Sequence, residues 1–218
     1  MIGDDITHYE IQIIRKAEQK TSNWSGGTTT ELAIYPKHAS YAKRNFVWRL
    51  SSAIVNTEES IFTSLPGFWR LIMIIEGETL LKHEGHHDIY LKPFEQDSFS
   101  GGWITRSYGG KVRDFNLMVA EGYNGELKAI EIGMEKGYED SIGLNEYGEV
   151  KRFFYCAKGS ISFYVGDKIS EDLYEGDLLL INSSKQTNIE TIRINAIEGK
   201  STCIICGSIS NSGLKAID

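Results

Sequence analysis

One segment of this chain is repeated 82 residues further on, and this repeat constrains the fold more than any other feature. The first copy starts at Arg70 and reads RLIMIIEGETLLKHEGHHDIYL, and the second starts at Arg152 and reads RFFYCAKGSISFYVGDKISEDL. The constant offset aligns Gly77 with Gly159. Each copy runs through strand, glycine turn, strand, glycine turn and strand to an acidic turn. The two copies agree in the whole order of strands and turns and not only in single glycines, which predicts a duplicated β unit.

The composition and the spacing of turns predict an all-β protein. The 218 residues include 22 glycines and only 3 prolines. β-Branched and aromatic residues cluster in runs of about four to eight, and turn signals recur about every eight to twelve residues. No helical stripe is longer than about two turns. This strand-and-turn pattern is typical of β-sandwiches and β-barrels.

The repeated order of strands and turns is that of the antiparallel jelly roll of cupins, in which two sheets close around a central cavity. We therefore predict a bicupin, that is, two double-stranded β-helix (jelly-roll) barrels that arose by internal duplication. The first barrel is expected over residues 1–125 and the second over residues 126–218. The acidic, glycine-rich stretch 131–149 is expected to be the connecting segment or a long loop.

Charge and hydropathy exclude two classes of partner. Lys and Arg number 23 against 30 Asp and Glu, for a net charge of −7, and no basic block is present, so no nucleic acid is expected as a partner. No apolar run approaches the roughly 18 to 20 residues that cross a bilayer, so no membrane contact is expected. An acidic, polar N-terminus and 3 cysteines predict a cytoplasmic protein.

The histidines of the first repeat are the place to look for a metal site. Cupins often hold a divalent ion through two closely spaced histidines, a glutamate and a more distant histidine. Here His83 follows Gly77 by six residues, but Gly85 stands where the second histidine would be needed, and His86 and His87 fall in the hairpin turn. Three turn histidines are more often solvated tip residues. We therefore predict no metal and no other cofactor.

Several polar residues stand inside otherwise apolar strands of the first half. Period-two alternation puts Arg49 and Ser51 on one face of their strand and Trp48 on the other. The same alternation puts Asp114 and Asn116 together on one face of theirs. A charged group inside a barrel must be paired or bound to something, because an unpaired buried charge costs several kcal/mol.

Two interpretations of these residues stay open. In the first, Arg49 and Arg70 form structural salt bridges with Glu31 and Asp114 at the ends of strands. In the second, one of the two arginines offers a planar fork to a ligand carboxylate. Hydrogen bonds to the other polar atoms of the ligand would then come from Ser51 and Asn116, and apolar walls from Trp48, Trp69 and Trp103.

Blocks of polar and aromatic residues follow one another along the chain, namely NWSGGTTTEL from Asn23, FVWRLSSA from Phe46, IFTSLPGFWR from Ile61, FSG from Phe99 and DFNLM from Asp114. The order of these blocks, along essentially the whole chain, closely resembles that of the HutD/Ves family. The residues that match the family's motifs are Trp24, Gly26, Gly27, Thr28, Thr30, Glu31, Phe46, Trp48, Arg49, Ser51, Pro66, Gly67, Arg70, Asp114, Asn116 and Met118.

The resemblance implies a bicupin fold and an association with bacterial histidine utilisation. It implies a non-enzymatic regulator that binds a small carboxylate, such as N-formylglutamate or urocanate. We expect the ligand to lie in the first barrel. The residues expected to contact it are Arg49, Arg70, Ser51, Asn116, Thr28, Glu31, Trp48 and Asp114.

Two other hypotheses remain. One is a cupin enzyme that acts on a similar small acid, through a metal or through acid–base chemistry by Glu31 and Asp114. The other is a structural role, in which the second barrel mediates a homodimer and the first is vestigial. No Ser-His-acid constellation is visible in the sequence, so a hydrolase of that type is not expected.

Overall fold

The computed structural model describes residues 9–133, 137–142, 150–166, 169–183, 190–197 and 202–212. In these ranges the chain is all-β, as predicted, with one short 3-10 helix, Lys16–Glu18. No helix of the described ranges is long and apolar enough to cross a membrane. The strands are β1 (Tyr9–Ile14), β2 (Lys20–Trp24), β3 (Gly27–Tyr35), β4 (Trp48–Val55), β5 (Glu59–Ile61), β6 (Phe68–Glu76), β7 (Thr79–His83), β8 (Asp88–Leu91), β9 (Gln96–Ser100), β10 (Thr105–Tyr108), β11 (Val112–Ala120), β12 (Tyr123–Ile132), β13 (Tyr138–Ile142), β14 (Val150–Lys158), β15 (Ser160–Val165), β16 (Ile169–Tyr174), β17 (Leu178–Ser183), β18 (Glu190–Ala196) and β19 (Thr202–Asn211).

Residues 17–127 form one compact unit with two sheets. A six-stranded sheet has the order β2-β3-β4-β11-β6-β9, and a four-stranded sheet has the order β5-β10-β7-β8. The apolar run of β6 places Ile72 and Ile74 in a buried cluster with Leu81, Phe99 and Val112. Because these residues come from both sheets, the cluster joins the two sheets of this unit into one core.

The described residues up to Lys16 and from Lys128 onward form a second compact unit. Its five-stranded sheet has the order β1-β17-β14-β19-β12, and its four-stranded sheet has the order β13-β18-β15-β16. Phe154 and Phe163 pack with Ile181, Ile194 and Ile204 in a buried cluster. This unit therefore has an apolar core of its own.

The strands follow the repeat in the sequence. β14 (Val150–Lys158) begins and ends 82 residues after β6 (Phe68–Glu76). The order β9-β6-β11-β4 in the first unit corresponds to β17-β14-β19-β12 in the second, and β5-β10-β7-β8 corresponds to β13-β18-β15-β16. Gly77 and Gly159 occupy equivalent turns and have positive φ angles of 78° and 80°, which glycine adopts without strain.

Two boundaries differ from those expected from the sequence. β1 pairs along its whole length with β17 of the second unit, whereas residues 1–125 were expected to form the first barrel. Alternation predicts that an edge segment is a strand, but not which sheet it joins. Within the expected connection 131–149, Tyr138–Ile142 form β13 and pair with β18. Residues 134–136 and 143–149 of that stretch lie outside the described residues.

Replacement of Gly77 by alanine is expected to destabilise the first unit more than the same change at Gly85. The two glycines have φ angles of +78° and +76°, so both variants carry a similar backbone strain of about 1 kcal/mol. A Cβ at Gly77 would also lie 2.3 Å from the carbonyl oxygen of Lys111, whereas a Cβ at Gly85 meets nothing within 4 Å. Urea unfolding should show a loss of about 2–4 kcal/mol for Gly77→Ala and about 1 kcal/mol for Gly85→Ala. Equal losses would contradict this.

Candidate functional site

Three neighbouring strands of the six-stranded sheet bring predicted polar residues to one face. β11 lies between β4 and β6, and the register places Met118 opposite both Arg49 and Arg70. Two residues earlier on β11, Asn116 lies opposite Ser51. Directly opposite residues of antiparallel strands point to the same side, so the two arginines share a face with Ser51 and Asn116. Strands are spaced by about 4.8 Å, which puts the backbones of the two arginines roughly 10 Å apart.

This face forms part of the wall of a cavity of about 260 Å³. Five of the eight predicted contact residues line the cavity, namely Arg49, Arg70, Ser51, Asn116 and Asp114. The other lining residues are Ser22, Trp24, Thr29, Tyr41, Ala53, Val55, Ser60, Ile61, Phe62, Thr63, Ser107 and Met118.

Arg49 is buried and held by protein groups. Its Nε donates to Glu31 Oε2 at 2.9 Å, and its Nη1 donates to Ser51 Oγ at 3.0 Å. The guanidinium carbon lies 4.6 Å from the centre of the Tyr41 ring. The salt-bridge interpretation therefore describes Arg49. Glu31 reaches the site through this ion pair rather than by lining the cavity.

Arg70 lies in the same cavity, and no carboxylate of the described residues contacts it directly. Asp114 of the same cavity wall raises the pKa of Arg70. Only 6% of the residue is exposed, and no carboxylate oxygen of the described residues lies within 4.0 Å of its guanidinium nitrogens. Its Nε has no hydrogen-bond partner there. The guanidinium carbon instead lies 4.7 Å from the centre of the Phe62 ring and 5.4 Å from that of Phe99. Burial lowers the pKa of Arg70 to about 10, so the group still carries its charge at neutral pH.

Asp114 is the acidic group of the cavity wall. Its Oδ1 accepts a hydrogen bond from the Ala53 N–H at 3.4 Å. Burial raises the pKa of Asp114 to about 7, against the lowering effects of Arg70, the Ala53 N–H and Arg49. The charge of this carboxyl group therefore changes near neutral pH.

The side-chain oxygen of Asn116 is buried without a hydrogen-bond donor from the described residues. An unsatisfied buried acceptor costs about 1–3 kcal/mol. Since Asn116 lines the cavity, a guest molecule with an N–H or O–H group would satisfy this oxygen. The cavity thus offers both a cation and a hydrogen-bond acceptor to a guest.

Thr28, a predicted contact residue, does not line the cavity. In the pairing of β3 with β4, Thr28 lies opposite Ile54 and Thr29 lies opposite Ala53. Thr29 is the threonine that lines the cavity. Three consecutive threonines show no alternation of polar and apolar residues, so the sequence does not indicate which of them faces the site. The register between β3 and β4 decides this.

Trp48 and the other tryptophans expected as walls also lie outside the cavity lining. Trp48 precedes Arg49 and therefore points to the other face of β4, where it stacks on Tyr35 with ring centres 5.8 Å apart. Trp69 packs against Trp103. The aromatic lining comes instead from Tyr41 in a turn, Phe62 after β5 and Trp24 at the end of β2, for which strand alternation gave no signal.

The histidines of the β7–β8 hairpin are not all the solvated tip residues that the sequence predicts. His83 ends β7 and is only 1% exposed. Its Nε2 lies 2.8 Å from Oδ2 of Asp97, which is 14 positions further along the chain. Burial lowers the pKa of His83, against the raising effect of Asp97. The glycine spacing identified His83, but no motif in the sequence pointed to Asp97.

The family model described as HutD matches residues 16–201, most of the chain. The chain belongs to the HutD family. The resemblance to HutD/Ves proteins is thereby confirmed. Seven of the motif residues line the cavity, namely Trp24, Arg49, Ser51, Arg70, Asp114, Asn116 and Met118. No curated protein matches the chain in sequence.

Solved structures share the fold of this HutD-family chain. A conserved protein of unknown function from Pseudomonas aeruginosa PAO1 is 20% identical, with a TM-score of 0.77, over 93% of this chain and 100% of that chain. HutD from Pseudomonas fluorescens SBW25, in a formate condition, is 22% identical, with a TM-score of 0.67, over 93% and 99%. The bacterial pirin YhhW from Escherichia coli is 9% identical, with a TM-score of 0.62, over 93% and 100%. These likenesses show a cupin-like all-β fold.

Asp114→Asn is expected to remove a pH dependence of stability. The folded-state pKa of about 7 lies above the ordinary value of 3.8. Asp114 therefore favours the folded state at low pH, and this contribution is lost as the pH rises through about 7. The shift corresponds to at most about 4 kcal/mol.

Urea unfolding at several pH values measures this effect. Between about pH 5 and about pH 8, the wild type should lose stability relative to Asp114→Asn. Asp88→Asn, at a position whose side chain is 56% exposed, should follow the wild type. Parallel pH profiles for the wild type and Asp114→Asn would show that Asp114 does not carry the effect.

Proposed function

We propose that this HutD-family protein is a non-enzymatic regulator linked to histidine utilisation, and that it binds a small carboxylate such as N-formylglutamate or urocanate. The observation that carries the proposal is Arg70, a buried cation with no carboxylate oxygen of the described residues within 4.0 Å. A ligand carboxylate in the adjacent cavity would supply the counterion. Membership of the HutD family supports the link to histidine utilisation.

A carboxylate group is a suitable guest for Arg70. Taking a charge out of water costs several kcal/mol unless a counterion and hydrogen bonds replace the water. The guanidinium group presents parallel N–H donors that match the two oxygens of a carboxylate. The rings of Phe62 and Phe99 flank the guanidinium group, and its Nε has no competing acceptor among the described residues. Arg49, by contrast, already donates to Glu31.

The rest of the cavity suits a small metabolite with both polar and apolar parts. Asn116 Oδ1 needs a donor, which the amide N–H of N-formylglutamate or the imidazole N–H of urocanate would provide. The hydroxyl groups of Ser51 and Ser107 and the apolar side chains of Phe62 and Met118 line the remainder. At about 260 Å³, the cavity is slightly smaller than the usual ligand pockets of about 300–1,000 Å³. This size favours metabolites of a dozen or so heavy atoms.

We also propose that the two units are jelly-roll cupin barrels related by duplication. The matching strand orders and the offset of 82 residues between β6 and β14 support this relationship. The first barrel would bind the ligand, and the second would have a structural role. A homodimer and a cytoplasmic location stay predictions.

A cupin enzyme that acts on a similar small acid is the second candidate, and Asp114 is the observation that favours it. A carboxyl group with a pKa of about 7 suits general acid–base catalysis at neutral pH. Glu31 is held by Arg49, so Asp114 would be the proton-transfer group. Proton NMR of each candidate ligand with the protein separates the two functions. Unchanged ligand spectra support the regulator, and turnover that Asp114→Asn abolishes supports the enzyme.

Arg70→Met is expected to abolish ligand binding and to leave the fold intact. Methionine removes the donor fork, keeps an apolar chain at a buried position and removes the cost of burying the guanidinium charge. Calorimetric titration with N-formylglutamate, urocanate and glutamate identifies the ligand of the wild type. The affinity of Arg70→Met for that ligand should be at least about 30-fold lower, because truncation of a buried charge pair costs about 2–5 kcal/mol.

Arg106→Met is the matched control for Arg70→Met. Arg106 is a partly exposed arginine of the same unit and pairs with Glu59, and it does not line the cavity. This variant should bind the ligand as the wild type does. Wild-type affinity in Arg70→Met, or equal losses in both variants, would contradict the proposed role of Arg70. If the wild type binds none of the three carboxylates, the proposed ligand class is wrong.

A further inference from the structure

Two imidazoles and one carboxylate meet at the end of β7, outside the lining of the cavity described above. They belong to His83, His87 and Asp97, which we call the His-His-Asp cluster. His83 Nε2 lies 2.8 Å from Asp97 Oδ2, and His87 Nε2 lies 3.2 Å from each oxygen of the same carboxylate. One ligand atom from each residue lies within 4.8 Å of the other two.

These separations match those of ligand atoms that share one metal ion. Imidazole nitrogens and carboxylate oxygens bind zinc at about 2.0–2.2 Å, so two such atoms are about 3.0 Å apart at a right angle and about 3.4 Å apart at the tetrahedral angle. The nitrogen–oxygen distances of the cluster are 2.8 and 3.2 Å. The cluster therefore has nearly the spacing of a formed chelate before any ion binds.

Thr105 orients the buried histidine of the cluster. His83 Nδ1 lies 2.8 Å from Thr105 Oγ1, and both residues are buried. When Nδ1 carries the proton and donates to this hydroxyl, Nε2 directs its lone pair towards Asp97. A partner of this kind on the second ring nitrogen is usual for metal-binding histidines, since it fixes the tautomer and the ring orientation. Phe99 and Trp103 pack against the ring at centroid distances of 4.5 and 5.8 Å.

The cluster is accessible from solvent on one side. The side chain of His87 is 40% exposed. His83 and His87 also line a second, open cavity of about 510 Å³ together with His86. An ion can enter from this cavity, and water can complete its coordination.

We propose that His83, His87 and Asp97 bind one divalent transition-metal ion, such as Zn²⁺. Two imidazoles and one carboxylate suit Zn²⁺, Co²⁺, Ni²⁺ or Fe²⁺, whereas Mg²⁺ and Ca²⁺ take mostly oxygen ligands. The bound ion connects the β7–β8 hairpin to β9. It would stabilise the first unit by mass action, because the unfolded chain does not preserve the cluster.

This inference does not rest on the proposed function. The ring of Phe99 lies 4.5 Å from the ring of His83 and 5.4 Å from the guanidinium carbon of Arg70. Phe99 thus contacts one residue of each site. His83, His87 and Asp97, however, do not line the carboxylate cavity, so either site can be present without the other.

Titration of metal-free, untagged, full-length protein with Zn²⁺ and Co²⁺ tests the inference. Calorimetry should show one equivalent of Zn²⁺, and the melting temperature should rise with the Zn²⁺ concentration. Bound Co²⁺ should give visible ligand-field absorption, which reports its coordination. His87→Ala and Asp97→Asn should each weaken Zn²⁺ binding by more than about 10-fold, since even the outer partners of ligands are worth about 10- to 100-fold in affinity.

His86→Ala is the matched control, because His86 lies in the same turn but stacks on Trp103 instead of joining the cluster. It should bind Zn²⁺ as the wild type does, and so should Arg70→Met. Urea unfolding of each metal-free variant verifies that it is folded. Lack of Zn²⁺ binding by the wild type up to about 1 mM, or wild-type affinity in both His87→Ala and Asp97→Asn, overturns the inference. An equal loss in His86→Ala overturns the choice of ligands.

Discussion

The buried charge of Arg70, which no carboxylate of the described residues contacts, is the constraint on which the candidate site depends. Its guanidinium group is buried between aromatic rings, and no carboxylate oxygen of the described residues lies within 4.0 Å. Burial lowers its pKa only to about 10, so loss of the proton does not relieve the cost of desolvation at neutral pH. Asp114 of the same cavity raises the pKa of Arg70, but no carboxylate oxygen of the described residues is in contact with the guanidinium group. The proposed ligand carboxylate would supply that direct contact.

The register of the strands gives the two arginines different surroundings. Arg49 and Arg70 lie opposite Met118, one on each side of β11. Beyond Arg49, β3 supplies Glu31, which accepts from its Nε. Beyond Arg70, β9 supplies Phe99 directly opposite it, and an aromatic ring does not neutralise a cation. Arg49 thus forms a structural ion pair, whereas the Nε of Arg70 at the same level of the sheet has no acceptor among the described residues.

Sequence reasoning recovered what depends on order within a single strand. Alternation predicted that Arg49 and Ser51 share a face, and the repeat predicted the all-β fold. Features that depend on pairing between strands could not be found in this way. Thr29 rather than Thr28 lines the cavity because of the register of β3 against β4. This register shifts at an irregularity further along β3. Likewise, the contact of Asp97 with His83 depends on the proximity of β9 and β7. The pairing of β1 with β17 is also a contact between strands that are distant in the sequence.

The repeat also provides an internal comparison for Arg70. Arg152 occupies the corresponding position in β14, 82 residues further on, and Asp140 of β13 pairs with it. β5 takes the place of β13 in the strand order of the first unit, but it contributes Ser60 to the cavity wall and its acid, Glu59, pairs elsewhere. The arginine at this position therefore pairs with a carboxylate in the second unit, whereas no carboxylate of the described residues contacts it in the first unit. The fold thus permits such a pairing, and the lack of a carboxylate contact to Arg70 among the described residues is a property of the first unit. This property leaves the guanidinium group of Arg70 available to the proposed ligand carboxylate.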